Sequence, residues 1–208
     1  MVCLRAFASA LFAIPLVALN QTPAPNLLQV ATDPNPALHS YIASASLSAE
    51  LRAAVPVHKT FTGSAYYLSP NEKIVFDNVS GPLSKFSQLT TVIPTYGELK
   101  AGYTISPIAD DGRSSTYLLV PSTPGRRVKD VTLSVDDRAA LVVRAVWTYT
   151  NGGRLTFDQT YASVGGFQLP VSEIITARFP GYSVDGTLQL SNYRLNAPVP
   201  PSVFAEKP

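Results

Sequence analysis

The chain of 208 residues holds one cysteine, one methionine, one tryptophan and two histidines. So short a supply of thiols and soft ligands excludes disulfide stapling, thiol chemistry and a Cys/His zinc centre by counting. Charge is scarce as well: 14% of residues are charged, well under the usual quarter. With 16 Lys and Arg against 14 Asp and Glu the formal net charge is +2. No long basic run occurs, so a nucleic-acid partner has no electrostatic footing. What the chain does have is 46% hydrophobic residues, punctuated by 18 prolines and 12 glycines. That composition fits neither a disordered polyelectrolyte nor a helical bundle. The length suits one domain with a tail and a core large enough to need no staple.

Residues 1–20 have the layout of a secretory signal peptide, with Arg5 ahead of an apolar run from Ala6 to Leu19 broken only by Ser9 and Pro15. At a rise of about 1.5 Å per residue this run falls short of a bilayer core of about 30 Å, which disfavours an uncleaved anchor. Cys3 precedes the apolar run, so it is not placed to become the lipid-modified cysteine of a lipoprotein. The expected product is an exported protein of the periplasm or cell envelope, soluble rather than lipid-anchored, with no cysteine left in the mature chain. Residues 21–35 read as an extended, proline-rich linker, 36–204 as the folded domain and 205–208 as a tail.

From Leu38 onward apolar residues recur with period two, the signature of half-buried strands. In SYIASASLSAELR, Tyr41, Ala43, Ala45, Leu47, Ala49 and Leu51 alternate with mostly polar neighbours. The pattern returns in 57–68, in KIVFDNV, and in six later segments between Thr116 and Leu190. Between them stand Asp110-Asp111-Gly112, Asp136-Asp137, Asn151-Gly152-Gly153, Gly165-Gly166 and Asp185-Gly186, residues that form turns. Hairpins at this spacing predict an antiparallel meander of about nine or ten strands, because parallel strands would need longer crossovers. One stretch departs from the period. In SGPLSKFSQL, Leu83, Phe86 and Leu89 lie three apart behind Ser80 and Pro82, which predicts a short helix. So wide a sheet with so little helix must curl onto itself, pack against this helix and the 94–101 stretch, or both.

Catalytic chemistry finds little support. His39 and His58 have no metal-ligating companions at a useful spacing, and the paired aspartates lack the pattern of a calcium loop. The GYSVDG segment at 181–186 places its second glycine one residue too far for a nucleophile elbow. An enzyme is not expected, and neither a metal nor a cofactor is implied. Arg126, Arg127 and Lys129 form a small basic turn, read first as a solvated loop and second as a contact for an acidic partner or lipid headgroups. The informative set is aromatic. Phe61, Tyr67, Phe76, Phe86, Trp147, Tyr149, Phe157 and Tyr161 fall mostly on the apolar register of their segments. Core packing accounts for many such residues. A broad sheet with few helices nevertheless exposes more apolar face than it can cover, and the surplus would line a groove for an apolar ligand.

The order LSVDDRAALVV (133–143), WTYTNGGRLTF (147–157), YASVGGFQLP (161–170) and LSNYRLNAPVPPSVF (190–204), with SYIASASLSAEL, GSAYYLSP and STYLLVPSTP upstream, resembles the LolA-like superfamily of outer-membrane lipoprotein-sorting proteins. The resemblance spans about residues 36–204 and lies in strands and turns, without a catalytic signature. It implies a mainly β fold of the α+β kind: a curved antiparallel half-barrel with a few short helices lidding the concave face. It also implies a non-enzymatic carrier whose partners are lipids or the acyl chains of lipoproteins. The alternative is an envelope regulatory or protein-interaction module with a self-filled groove. A monomer is the expected state.

Overall fold

The computed structural model describes residues 26–53, 56–77, 88–89, 93–123, 125 and 127–205. The alternating segments form strands, and all of them join one sheet. The strands are β1 (Ser40–Arg52), β2 (Val57–Leu68), β3 (Asn71–Phe76), β4 (Gln88–Leu89), β5 (Tyr103–Asp110) and β6 (Ser114–Pro121), followed by β7 (Val128–Asp136), β8 (Leu141–Tyr149), β9 (Arg154–Val164), β10 (Phe167–Phe179) and β11 (Tyr182–Leu195). Their order across the sheet is β4-β3-β2-β1-β11-β10-β9-β8-β7-β6-β5. Two meanders, β1–β4 and β5–β11, are therefore joined along a β1/β11 seam that runs from Tyr41↔Leu195 to Arg52↔Ser183. All neighbours are antiparallel, and the sheet does not close. The predicted half-barrel is the observed architecture.

Directly opposed residues share a face, so the apolar register of β1 propagates across the whole sheet. One row runs Val57, Leu51, Val184, Ala177, Leu155, Trp147, Val131, Leu119, Ile105. The register slips at Ile42/Ser44, Pro170/Ser172, Ser134/Val135 and Pro107/Ala109. Such bulges bend strands and increase twist, which is how an eleven-stranded sheet curls instead of lying flat. Pro170 sits at one of them, where a strand tolerates a residue without an N–H.

Two short helices cover part of the concave face. α1 (Leu27–Ala31) is capped by Asn26, whose side chain accepts from Leu28 N at 3.1 Å. α2 (Tyr96–Gly102) starts with a capping box of Thr95 and Glu98. Leu28 and Ala31 of α1 and Leu99 of α2 are buried against Leu119, Val131, Leu133, Val135, Val142 and Ala145. The Asn26 amide donates to the Tyr96 hydroxyl at 2.6 Å and ties the two helices together.

Several readings of the sequence need correction. The 21–35 linker is not extended throughout: Leu28 is fully buried, and its burial fixes a helical turn between flanking prolines. Two strands escaped the period. β4 is two residues long, and β5 is an edge strand containing Pro107 in which only Tyr103 and Ile105 pack against the core and the rest is exposed. Asp185-Gly186 lies inside β11 rather than in a turn. A Cβ at residue 186 would meet Leu47 and Ile175 at ordinary contact distances of 3.4 and 3.6 Å, so glycine here leaves open space between core residues and relieves no clash. Other turn readings hold in detail. The Asp110 carboxylate accepts from Gly112 N, that of Asp111 from Arg113 N and Ser114 N, and that of Asp136 from Ala139 N. The signal peptide and most of the helix read at 80–89 lie outside the described residues, and Gln88–Leu89 pair as a strand.

Candidate functional site

The concave face divides into an apolar and a polar end. Toward the β10–β11 hairpin, the apolar rows enclose a cavity of about 120 Å³ lined by Leu47, Ala49 and Leu51 of β1, Phe61 of β2, Leu155 and Phe157 of β9, Ile175 and Ala177 of β10, and Val184 and Gly186 of β11. Every lining residue is apolar. The small side chains Ala49, Ala177 and Gly186 leave the space that larger neighbours fill elsewhere. At its margin the Lys59 ammonium lies 5.2 Å from the centre of the Phe61 ring, a cation over an aromatic face. Lys59 is opposite Ala49 in the register and therefore on the cavity side of the sheet.

One step along β10 the rows change character. Glu173, 3% exposed, is opposite Leu188 on one side and Gln159 on the other, inside the concave face. Its carboxyl accepts from Gln159 Nε2 at 3.4 Å. Burial, reinforced by the charge of Glu72, pushes its pKa up to about 8, so at neutral pH the group is mostly a protonated acid that can donate a hydrogen bond. Beyond it lies a second cavity, also of about 120 Å³, whose walls include Tyr41, Tyr67, Glu72, Gln159 and Tyr161. Tyr41 donates to the Glu72 carboxylate and Tyr193 to the Pro170 carbonyl. The Tyr161 hydroxyl lies 2.7 Å from Gln159 Oε1 and 3.0 Å from the Val142 carbonyl. Tyr41 stacks on Tyr67 at 5.1 Å and meets Tyr193 edge-on. Burial, with the nearby carboxylates, raises the Tyr41, Tyr161 and Tyr193 hydroxyls above the ordinary tyrosine value. These phenols are therefore neutral hydrogen-bonding groups in any physiological medium.

The eight aromatic residues read from the sequence do not line a single groove. Phe61 and Phe157 line the apolar cavity, and Tyr67 and Tyr161 the polar one. Phe76 is buried beside Phe61, with centroids 6.1 Å apart. Trp147 meets Phe157 edge-on at 5.2 Å and also packs against the helix-covered cluster. Tyr149 lies at the tip of the β8–β9 hairpin against Phe179. Phe86 lies outside the described residues. The residues missed are the carboxylates Glu72 and Glu173. Their signal was present: each occupies an apolar-register position of its strand, opposite Tyr67 and Leu188 respectively.

His39 and His58 are exposed, and among the described residues no group of three or more His, Cys, Asp or Glu could hold a metal ion. Among the same residues no helix is long and apolar enough to cross a membrane.

No family model matches the chain, and no curated protein matches its sequence significantly. Solved structures do match. A putative outer membrane lipoprotein-sorting protein domain from Vibrio parahaemolyticus superposes with a TM-score of 0.59 at 11% identity, covering 86% of this chain and 94% of that one. A LolA superfamily protein from Nitrosomonas europaea gives 0.55 at 12% identity, covering 86% and 96%. A DUF1329 family protein from Desulfovibrio piger gives 0.54 at 13% identity, covering 86% and 94%. The fold is the LolA-like half-barrel, as the strand and turn pattern implied.

Proposed function

We propose that this chain is an exported, non-enzymatic carrier or binding protein for lipids or the acyl chains of lipoproteins, which it holds on the concave face. The observation that carries this reading is the wholly apolar cavity between β1, β2 and β9–β11. Burying an acyl chain gains about 0.8 kcal/mol per methylene, so a chain of about 14 carbons offers roughly 11 kcal/mol before ordering costs. The cavity is smaller than that gain requires. An engineered cavity of about 150 Å³ takes a benzene-sized guest, so 120 Å³ seats the end of a chain, and a full chain must displace side chains or extend toward the polar end. There Tyr41, Tyr67, Glu72, Gln159 and Tyr161 line the second cavity and supply polar partners for a head group.

The test is to purify the mature protein from membranes, identify co-purifying lipid by mass spectrometry, and titrate a fluorescent fatty acyl probe. Bound lipid, and probe binding weakened at least tenfold by Ala49→Leu, are the expected results. A lipid-free protein that ignores the probe would end the proposal.

One observation favours a second reading, an envelope regulatory or protein-interaction module. Phe61 and Phe76 are only 3% and 5% exposed, so the chain's own side chains fill much of the groove. In that case Ala49→Leu changes nothing measurable with lipid, and a protein partner is recovered in its place.

A further inference from the structure

The end of the half-barrel that carries the β10–β11 hairpin has a composition found nowhere else among the described residues. Phe179 stacks on Tyr182 at 5.3 Å with planes 11° apart, and Tyr149 packs on Phe179 at 5.2 Å. The Phe179 ring is seated over Gly153, where a Cβ would lie 2.3 Å from it, so the aromatic ridge is held in place by backbone. Tyr182 is nonetheless 41% exposed.

Arginines flank the ridge. A cleft on one side is lined by Arg127, Tyr149, Phe179, Pro180 and Tyr182, and a cleft on the other by Arg52 and Arg178 with Phe179, Pro180 and Tyr182. On the convex face the cross-strand register places Arg52 opposite Ser183, Ser183 opposite Arg178, and Arg178 opposite Arg154. Like charges directly opposite weaken a sheet, so pairing does not explain this row. Arg178 and Arg52 both reach Asp185, and Arg52 also pairs with Glu50. Arg127 and Arg154 are exposed and have no ion-pair partner among the described residues. The opposite end of the sheet carries Asp110, Asp111 and Arg113 about its β5–β6 turn and Asp136, Asp137 and Arg138 about its β7–β8 turn, a net negative balance.

The ridge also adjoins the cavity. Ala177 and Val184, which line it, are each two residues from the Phe179↔Tyr182 pair. Aromatic rings with a polar edge favour the headgroup layer of a bilayer, and arginines favour anionic phosphates.

We infer that this rim is a docking surface for an anionic lipid bilayer, with the Tyr149–Phe179–Tyr182 ridge entering the headgroup layer and Arg127 and Arg154 contacting lipid phosphates. The contact brings the Ala177–Val184 end of the cavity to the membrane. Its purpose rests on the carrier reading; the contact itself does not.

The test is co-sedimentation of the mature protein with vesicles of phosphatidylcholine alone or with about a third phosphatidylglycerol. Binding is expected only to the anionic vesicles, falling with added salt. Arg127→Gln and Arg154→Gln should each weaken it roughly fivefold, and Tyr182→Ser should weaken it further. The pair Arg113→Gln and Arg138→Gln, the same charge change at the opposite end, should leave it unaltered; these turn positions are exposed, and circular dichroism confirms folding of each variant. Binding that ignores lipid charge, or that responds equally to both arginine pairs, overturns the inference. So does an absence of vesicle binding, which would redirect the rim to an acidic protein surface. Probe uptake in vesicle-free solution, measured on the same variants, separates the two proposals: lost docking with intact uptake removes only this one, and lost uptake with intact docking removes only the carrier reading.

Discussion

The two halves of the concave face solve the same problem differently. Under β5–β8 the apolar rows are covered by α1 and α2, and Leu28, Leu119, Leu133, Val135 and Val142 are all at most 1% exposed. Under β1, β2 and β9–β11 the sheet curls over its own rows, small residues stand at Ala43, Ala45, Ala49, Ala177 and Gly186, and a cavity remains. A helix is a closed cylinder of side chains that can fill a gap to native density. A sheet bending onto itself depends on the sizes of its inward residues, and here many are small. One half is built as a core, and the other keeps room.

The largest expected effect contrasts the same truncation in both halves. Leu119→Ala, at a fully buried site beneath the helices, should cost about 3 kcal/mol in denaturant unfolding. Leu51→Ala, at a partly exposed cavity wall, should cost about 1 kcal/mol. Equal losses would break the comparison. A pH titration comes next, and it probes the cavity half alone. Because Glu173 binds its proton up to about pH 8 in the folded chain and to about 4.3 unfolded, the folded state holds the extra proton between these values. Stability therefore falls as pH rises from about 4 to 8, by on the order of 3 kcal/mol at pH 7, and Glu173→Gln should flatten the curve. Overpacking sharpens the contrast from the other side. Ala145→Leu in the filled half should cost about 1–3 kcal/mol, and Ala49→Leu in the cavity half should be near neutral in melting temperature. The smallest effect is that of Thr95→Ala, which removes the α2 capping box and should cost about 1 kcal/mol, read in the same unfolding experiment.

The strands were legible because a half-buried sheet writes its burial into a period of two, and SYIASASLSAELR does so for nearly its whole length. The turns were legible because aspartate and glycine do specific work there. Two kinds of feature were not. α1 is too short to establish a period, and β5 alternates only over its first residues before Pro107 and an exposed end, so only the packing of Leu28 and the pairing of β5 with β6 define them. The sequence pattern makes the aromatic set one lining, yet its division into two cavities and a rim follows from how far along its strand each residue lies, which only the pairing of strands distant in the chain reveals. Glu72 and Glu173 fall on the apolar period of their strands, but carboxylates in strands are ordinarily exposed, and only their pairing opposite Tyr67 and Leu188 shows that they face inward.

The seam between β1 and β11 joins the two meanders across nearly the whole length of the folded domain. Every other neighbour in the sheet is also a neighbour in sequence, so each meander can zip up locally, whereas the middle of the sheet must wait for the most distant pairing of all. During synthesis, the row that completes the apolar cavity cannot form before residue 184 has emerged, and β1 keeps an unsatisfied edge until then. A chain so arranged stays unfinished while it is being made, which is the condition a polypeptide needs if it is to be threaded through a membrane before it folds.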